Sequence, residues 1–390
     1  MPEGASQPAS AGELHLASSS KRIPELDGLR GLAILLVILC HYFSGDQSAR
    51  FGFFAHYFLR ALAFGWSGVD LFFVLSGFLI GGILLESRNS PSYFRTFYLR
   101  RIHRIVPIYY CWILIYLLGF GAVYFFKPNT GVQAEDLRSL PLYFVFLQNF
   151  IYSKSILELL CLGALWSLAI EEQFYLCAPA VIRFVSTRHL VRVLGTVVLL
   201  APILRLLIYA FSKDYRYLAT FALPCRADAL SLGMLGAVAW QQPAFRLFLR
   251  KRPEVMRRAL LFLFAIVVLL LYWFLRPAGI VVVTVGYSAL AFFYLCLLLF
   301  VLSYSHSWLA FFTRLKPLRA LGTVSYCVYI IHAAVDIVVH QVVLHRNPRI
   351  DDVKGFAVTL LAVLTTCGLA ALSWRFLEKP LLRRGHRFVY

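Results

Sequence analysis

An arginine and a histidine on one predicted helix form the clearest candidate for a site of chemistry. Arg30 stands at the start of an apolar run, and His41 stands eleven residues further along it. On an α-helix, residues eleven apart lie within about 20° of one face and about 16 Å apart along the axis. A guanidinium can hold an anion, and a neutral imidazole can accept a proton. This helix face therefore predicts an anion-binding group at its start and a proton acceptor deeper in the run. The alternative is a histidine that serves only packing.

Three acidic residues within or beside apolar runs are candidates to assist that histidine. Glu171 and Glu172 are adjacent in the run that follows Leu165, and Asp70 lies near the start of an earlier run. Ionisable groups inside a membrane are costly and usually mark function. We therefore predict that Glu171, Glu172 or Asp70 orients His41, and the alternative for either glutamate is to compensate the charge of Arg30. Simple placement at the membrane interface is the alternative for Asp70.

A basic segment leads into the third apolar run. Arg100 and Arg104 are four residues apart, so they share a face if the segment is helical. Guanidinium groups suit phosphate recognition, which makes this pair a candidate anion site, and ordinary cytoplasmic positive charge is the alternative.

Further along, the spacing of Arg226 and Asp228 indicates a local structural ion pair or a contact at the access site.

The composition is that of a helical membrane protein. Of the 390 residues, 60% are hydrophobic and 15% are charged, whereas soluble domains average roughly 25% charged residues. The net charge of +19 is explained by Lys and Arg in cytoplasmic loops, with a share for a phosphate-bearing substrate or anionic lipid. No nucleic-acid partner is therefore expected. The eight Cys form no CxxC pair, so they predict neither a disulfide framework nor a metal site.

The sequence predicts an all-α polytopic membrane fold with about ten transmembrane helices. The apolar segment 141–152 is too short to cross a bilayer, which needs about 20 residues, so we predict that it is re-entrant or interfacial. All basic connections and both termini then fall on the cytoplasmic side. Gly77 predicts close approach of a second helix. The predicted spans lie near 29–45, 66–86, 105–126, 164–183, 191–211, 225–240, 259–275, 279–303, 320–343 and 355–374.

The chain divides into one large domain and two short tails. Residues 1–20 are rich in Ser, Ala, Gly and Pro and are predicted to be a disordered cytoplasmic tail. Residues 21–384 form the integral membrane domain, and residues 385–390 form a short cytoplasmic tail. We expect the first apolar run to be an uncleaved span, because no small-x-small cleavage site follows it. We expect no soluble domain after the last span.

Together these segments resemble the acyltransferase 3 family of integral membrane acyltransferases. The resemblance covers residues 22–384, and the order of its motifs makes it specific. The matching segments are 26–31 with the Arg-x10-His spacing of Arg30 and His41, the second-span motif 72–78, the RxxxR motif 100–104, the WSL-x-x-EEQFY block 166–175, and the C-terminal signatures 325–332 and 375–380.

The resemblance implies an enzyme that transfers acyl groups other than aminoacyl groups. It implies an O-acyltransferase that moves an acyl group, often acetyl, from acyl-CoA to a hydroxyl of a carbohydrate, glycolipid or similar acceptor. Acyl-CoA would be a co-substrate, with no permanently bound cofactor and no metal. The resemblance also implies a multi-pass protein in the lipid bilayer of a bacterial plasma (inner) membrane, where it would modify cell-envelope polysaccharides.

On this interpretation Arg30, Arg100 and Arg104 hold the CoA phosphates at the cytoplasmic mouth, and His41 is the general base for the acceptor hydroxyl. The pantetheine arm would follow the face shared by Arg30 and His41, and the hydroxyl would attack the thioester directly. A transporter is the main alternative, since intramembrane Arg, Glu and His also mark transport paths, but no inverted repeat is detectable. A non-catalytic membrane partner protein gives no reason for Arg30 and His41 to share a face.

Overall fold

The computed structural model describes most of the chain as helix. The predicted disordered tail 1–20 lies outside the described residues, as do the last positions of two predicted spans, 45 and 275, and position 152 of the predicted re-entrant segment. The described residues contain no strand. The described ranges are 23–44, 58, 61–126, 138–151, 161–274 and 279–390.

Ten helices of 17 to 34 residues carry the described part of the fold. Each overlaps one of the apolar runs that the sequence predicts as spans. Shorter helical turns connect several of them. The ten are α1 Pro24–Phe43, α2 Gly68–Glu86, α3 Tyr93–Phe126, α4 Trp166–Phe184, α5 Thr187–Phe211, α6 Leu223–Gln241, α7 Pro253–Phe274, α8 Tyr287–Ser303, α9 Lys316–Leu344 and α10 Val353–Ser373.

Nine of the described helices are long and apolar enough to cross a membrane. This confirms the all-α polytopic fold class. The helix that is not among the nine is α4, which coincides with the predicted fourth span. It has 19 residues, but Glu171, Glu172 and Arg183 interrupt its apolar run.

Helix α4 lies antiparallel beside the first half of α3. The Tyr93 hydroxyl donates to the carbonyl of Pro179 at 3.0 Å, and the Tyr98 hydroxyl donates to the carbonyl of Leu176 at 2.9 Å. At 1.5 Å per residue, α3 is about 51 Å long and α4 about 28 Å. The start of α4 at Trp166 therefore lies near the middle of α3.

The predicted non-spanning segment lies between α3 and α4. Its described residues form a five-residue helix, Leu140–Phe144, and a 3-10 turn, Gln148–Phe150. Gln173 of α4 holds this segment, because its Nε2 donates to the carbonyl of Phe146 at 2.7 Å and to Oδ1 of Asn149 at 2.8 Å. Elements this short cannot cross a bilayer, so the described residues of this segment form no membrane span, in agreement with that part of the prediction.

Glycines allow two helix pairs to pack with their backbones in close contact. A Cβ built on Gly77 of α2 would overlap the carbonyl oxygen of Leu230 on α6, and one built on Gly233 would overlap that of Val74. This confirms the prediction for Gly77. Helices α1 and α9 meet in the same way, which fixes Arg30 and His41 against α9. The glycines at that contact are Gly31, which faces the carbonyl oxygen of Leu318, and Gly322, which faces that of Asp27.

Replacing Gly77 with alanine is expected to destabilise the protein by about 1–3 kcal/mol, since the added methyl group meets backbone that has no room to move. Thermal unfolding of the detergent-solubilised protein would measure the change. Gly119→Ala is the matched control, because a Cβ there meets nothing within 4 Å and alanine favours helix. Equal unfolding temperatures for the two variants would contradict the proposed close packing of α2 and α6.

Candidate functional site

Three guanidinium groups surround one cavity among the helices, which we call the arginine cavity. Arg30 of α1 and Arg101 and Arg104 of α3 line it, and its volume is about 140 Å³. Arg30 also binds Asp27 through Nη1 and Oδ1 at 3.2 Å. A cavity with this excess of guanidinium groups suits an anionic ligand.

The arginine cavity follows one face of α2. Val69, Phe72, Ser76, Ile80 and Ile83 all line it, and these residues are spaced three or four apart, as residues on one helix face must be. Fourteen residues of helix rise about 21 Å. The cavity therefore extends along this face of the helix.

A second cavity, which we call the histidine cavity, has a volume of about 370 Å³ and contains His41. The His41 side chain keeps exposed surface. Val69 and Tyr329 line both cavities, so the two adjoin. Arg30 and His41 therefore line two adjoining cavities. The aromatic residues of this cavity are Trp66, Trp166, Phe221, Tyr287 and Tyr329.

The hydrogen bonds of His41 define which ring nitrogen can accept a proton. Its Nδ1 lies 3.0 Å from the carbonyl oxygen of Val37. A carbonyl only accepts, so Nδ1 carries the hydrogen and Nε2 keeps a free lone pair. The ring of His332 lies 4.7 Å away, edge to face, and its Nδ1 donates to the carbonyl of Tyr329 at 2.7 Å. His41 Nε2 can therefore act as a base.

The two adjacent glutamates occupy different surroundings. Glu171 lines the arginine cavity and accepts a hydrogen bond from Ser76 Oγ at 2.6 Å. Glu172 lines neither cavity, because consecutive helix residues point about 100° apart. Neither glutamate lines the cavity of His41, so the structure does not place them to orient that ring. Glu171 instead faces the guanidinium groups.

Asp70 is paired with an arginine and not with His41. It is fully buried, and its Oδ1 accepts from Arg226 Nη2 at 2.8 Å. Asp228 binds Arg205 at 3.0 Å, so the predicted local pair of Arg226 with Asp228 is absent. Residues two apart on a helix point about 200° apart, and each therefore finds a partner on another helix.

Arg100 lies outside both cavities. Its Nε donates to the carbonyl of Phe388 at 2.9 Å, and its guanidinium lies 4.8 Å from the ring of Tyr390. Burial raises the pKa of Tyr390, so the ring stays neutral and the contact is of the cation–π kind. The predicted short tail 385–390 thus packs on α3. Arg101 takes the cavity position that was predicted for Arg100.

Sequence reasoning missed Arg101 as a cavity residue, and for Arg226 it gave a contact at the access site as one of two interpretations. Arg101 and Arg104 are three residues apart, and Arg100 and Arg104 are four residues apart, so both pairs share a helix face. Spacing alone therefore does not predict which pair lines the cavity. For Arg226 a signal was present, since an arginine in an apolar run needs a partner. That partner, Asp70, lies 156 positions away in the sequence.

Comparison with known proteins shows one family over nearly the whole chain. A sequence model described as an acyltransferase domain matches residues 23–375. A putative peptidoglycan O-acetyltransferase of Bacillus subtilis, YrhL, is 30% identical over 96% of this chain. The O-acetyltransferase OatA of Staphylococcus aureus is 27% identical over 95% of the chain. The peptidoglycan O-acetyltransferase OatA of Listeria monocytogenes is 29% identical over 94%.

The chain spans less than two thirds of the length of these relatives. The matches cover 57% of the B. subtilis protein, 58% of the S. aureus protein and 57% of the L. monocytogenes protein. No solved structure matches this chain. Together with the nine described helices that are long and apolar enough to cross a membrane, the matches identify an integral, multi-pass membrane protein.

Proposed function

We propose that this chain, which belongs to the acyltransferase family whose sequence model matches residues 23–375, transfers an acetyl group from acetyl-CoA to a carbohydrate hydroxyl. The observation that carries the proposal is the pair of adjoining cavities. Guanidinium groups line one of them, the imidazole of His41 lies in the other, and both are lined by Val69 and Tyr329. A donor with a negatively charged end and a reactive end matches this arrangement.

The arginine cavity is the proposed site of the donor. Arg30, Arg101 and Arg104 would bind the phosphates of CoA by charge-assisted hydrogen bonds. A cavity of about 140 Å³ that follows α2 suits a thin, flexible chain such as the pantetheine arm, so the bulkier nucleotide would remain at the mouth. Glu171, which faces these guanidinium groups, would balance part of their charge when no donor is bound.

His41 is the proposed general base. The acceptor hydroxyl would give its proton to Nε2 of His41 while its oxygen bonds to the acyl carbon of the thioester. The carbon–sulfur bond then breaks, and the thiolate of CoA takes the proton back from the imidazolium. The products are an ester and free CoA thiol, so the proton and charge balance closes without a further reactant. Asp70 has no direct part in this step.

The proposed acceptor is the glycan of peptidoglycan. Two of the relatives are described as peptidoglycan O-acetyltransferases, one of them putatively. The histidine cavity, with a volume of about 370 Å³ and several aromatic residues, is large enough to admit part of a sugar. We place both termini and the mouth of the arginine cavity on the cytoplasmic side of a bacterial plasma membrane, on the basis of the positive-inside rule.

Labelled acetyl-CoA incubated with purified peptidoglycan fragments and the detergent-solubilised protein tests this proposal. We expect the label to appear in an alkali-labile ester on the glycan. Detergent removes any membrane gradient, so the assay separates an enzyme from a transporter. Intact acetyl-CoA and unlabelled glycan after prolonged incubation would contradict the proposal, and gradient-dependent uptake of a solute into vesicles without ester formation would favour a transporter.

A further inference from the structure

The wall of the histidine cavity contains a buried ion pair with unused hydrogen-bond donors. Arg226 lines this cavity yet is only 2% exposed. Its Nη2 binds Asp70 Oδ1 at 2.8 Å. Within the described part of the chain, its buried Nε and Nη1 have no hydrogen-bond partner, and the same is true of Asp70 Oδ2. A buried donor without a partner is costly, so these groups call for an explanation.

Aromatic rings fix the orientation of the Arg226 guanidinium. Its central carbon lies 3.7 Å from the ring centre of Tyr287, 5.6 Å from that of Phe73 and 5.9 Å from that of Trp166. Tyr287 in turn packs edge to face against Trp66, with ring centres 5.2 Å apart. A guanidinium held by one carboxylate and several rings has little freedom to turn, so its free donors are already oriented.

The other fully buried ion pair nearby shows what a purely structural arginine looks like in this protein. Arg205 donates to Asp228 Oδ2 at 3.0 Å, to Ser288 Oγ at 2.7 Å and, from Nε and Nη2, to the carbonyl of Thr284 at 3.0 and 2.9 Å. It lines neither cavity. Each of its guanidinium nitrogens has a partner within the protein. Of the two fully buried arginines in the described residues, only Arg226 has donors without a partner, whereas the less buried Arg101, Arg319 and Arg346 each have only an unpartnered Nε.

We propose that Arg226 is a catalytic residue that donates hydrogen bonds to the acyl carbonyl oxygen as negative charge develops on it, with Asp70 as its positioning residue. This inference rests on the proposed function. When the hydroxyl oxygen bonds to the acyl carbon and its proton passes to His41, the π electrons of the carbonyl move onto its oxygen. That charge returns to the carbon when the carbon–sulfur bond breaks and the thiolate leaves. Donors oriented in advance stabilise such an oxyanion without reorganisation.

The charge of the pair supports this role. The negative charge of Asp70 compensates the positive charge of Arg226 in the resting state. This part of the cavity wall is therefore nearly neutral and does not attract anions strongly. The Nε and Nη1 hydrogens act on an uncharged thioester only weakly and on an oxyanion much more strongly. The arrangement therefore favours the transition state over the bound substrate, and its removal should lower kcat more than it raises KM.

The test compares Arg226→Lys with Arg205→Lys in the full chain, with acetyl-CoA and peptidoglycan fragments as substrates. Lysine retains the charge opposite Asp70 but lacks the guanidinium fork. We expect Arg226→Lys to lower kcat about 100-fold with KM for acetyl-CoA changed less than about threefold. Its unfolding temperature should stay close to that of the wild type. Arg205→Lys should show the opposite pattern, with a lower unfolding temperature and near-normal kcat for the folded protein.

A second variant removes the charges of the pair together and so avoids a lone buried charge. Asp70→Asn/Arg226→Gln should lose at least as much kcat as Arg226→Lys. The inference is overturned if kcat of folded Arg226→Lys stays within about threefold of wild type, or if only KM for the glycan rises. A wild-type protein without acetyl-CoA-dependent ester formation would instead refute the proposed function, and this inference with it.

Discussion

Replacing His41 with alanine is expected to lower kcat for acetyl transfer by between about 10² and 10⁴, the range that a general base contributes. The reason is the free lone pair on Nε2, which the Nδ1 hydrogen bond to Val37 leaves available in the histidine cavity. Without a base, the acceptor hydroxyl must attack while it still holds its proton. The measurement is the steady-state rate of ester formation from acetyl-CoA in detergent.

His340 supplies a matched control for this variant. Its Nδ1 also donates to the carbonyl four residues earlier, at 3.0 Å, and it is fully buried, but it lines neither cavity. His41→Gln should lose nearly as much activity as His41→Ala, since an amide is not a base, whereas His340→Gln should stay within about threefold of wild type when folded. Near-normal turnover by His41→Ala would remove this mechanism.

Replacing Arg101 with alanine is expected to raise KM for acetyl-CoA by about 10- to 100-fold, whereas Arg100→Ala should change it little. A hydrogen bond to a charged group contributes about 1.5–3 kcal/mol, which corresponds to that range. Arg101 lines the arginine cavity, while Arg100 binds Phe388 and Tyr390 of the tail. The two residues are adjacent and of one type, so each controls for the loss of charge in the other.

A second donor tells whether Arg101 binds phosphate. S-acetyl-pantetheine carries the same thioester but has no nucleotide and no phosphate. If Arg101 acts on the phosphates of CoA, the penalty of Arg101→Ala should disappear with this donor. A penalty of equal size for both donors would show that Arg101 acts elsewhere, and equal effects of Arg100→Ala and Arg101→Ala on acetyl-CoA would contradict the assignment of the cavity residue.

Local patterns were sufficient to predict the helices and one shared face. The spacing of Arg30 and His41 is a property of a single helix, so periodicity alone places them on one side. The lengths of the apolar runs similarly predicted the all-α fold, and the shortness of 141–152 predicted a segment that does not cross. Each of these conclusions depends only on residues that are close in the sequence, so the sequence alone is sufficient to reach it.

The tertiary structure alone decided the partners of the buried charges and which guanidinium groups line the cavities. Arg100 and Arg101 are adjacent on α3 and their side chains point in different directions. Arg100 binds Phe388 and Tyr390 of the C-terminal tail, and Arg101 lines the arginine cavity. Asp70 and Arg226 lie 156 positions apart, on helices whose contact depends on glycines in both. Such pairing is set by how the helices pack in three dimensions, and no periodicity within one helix encodes it.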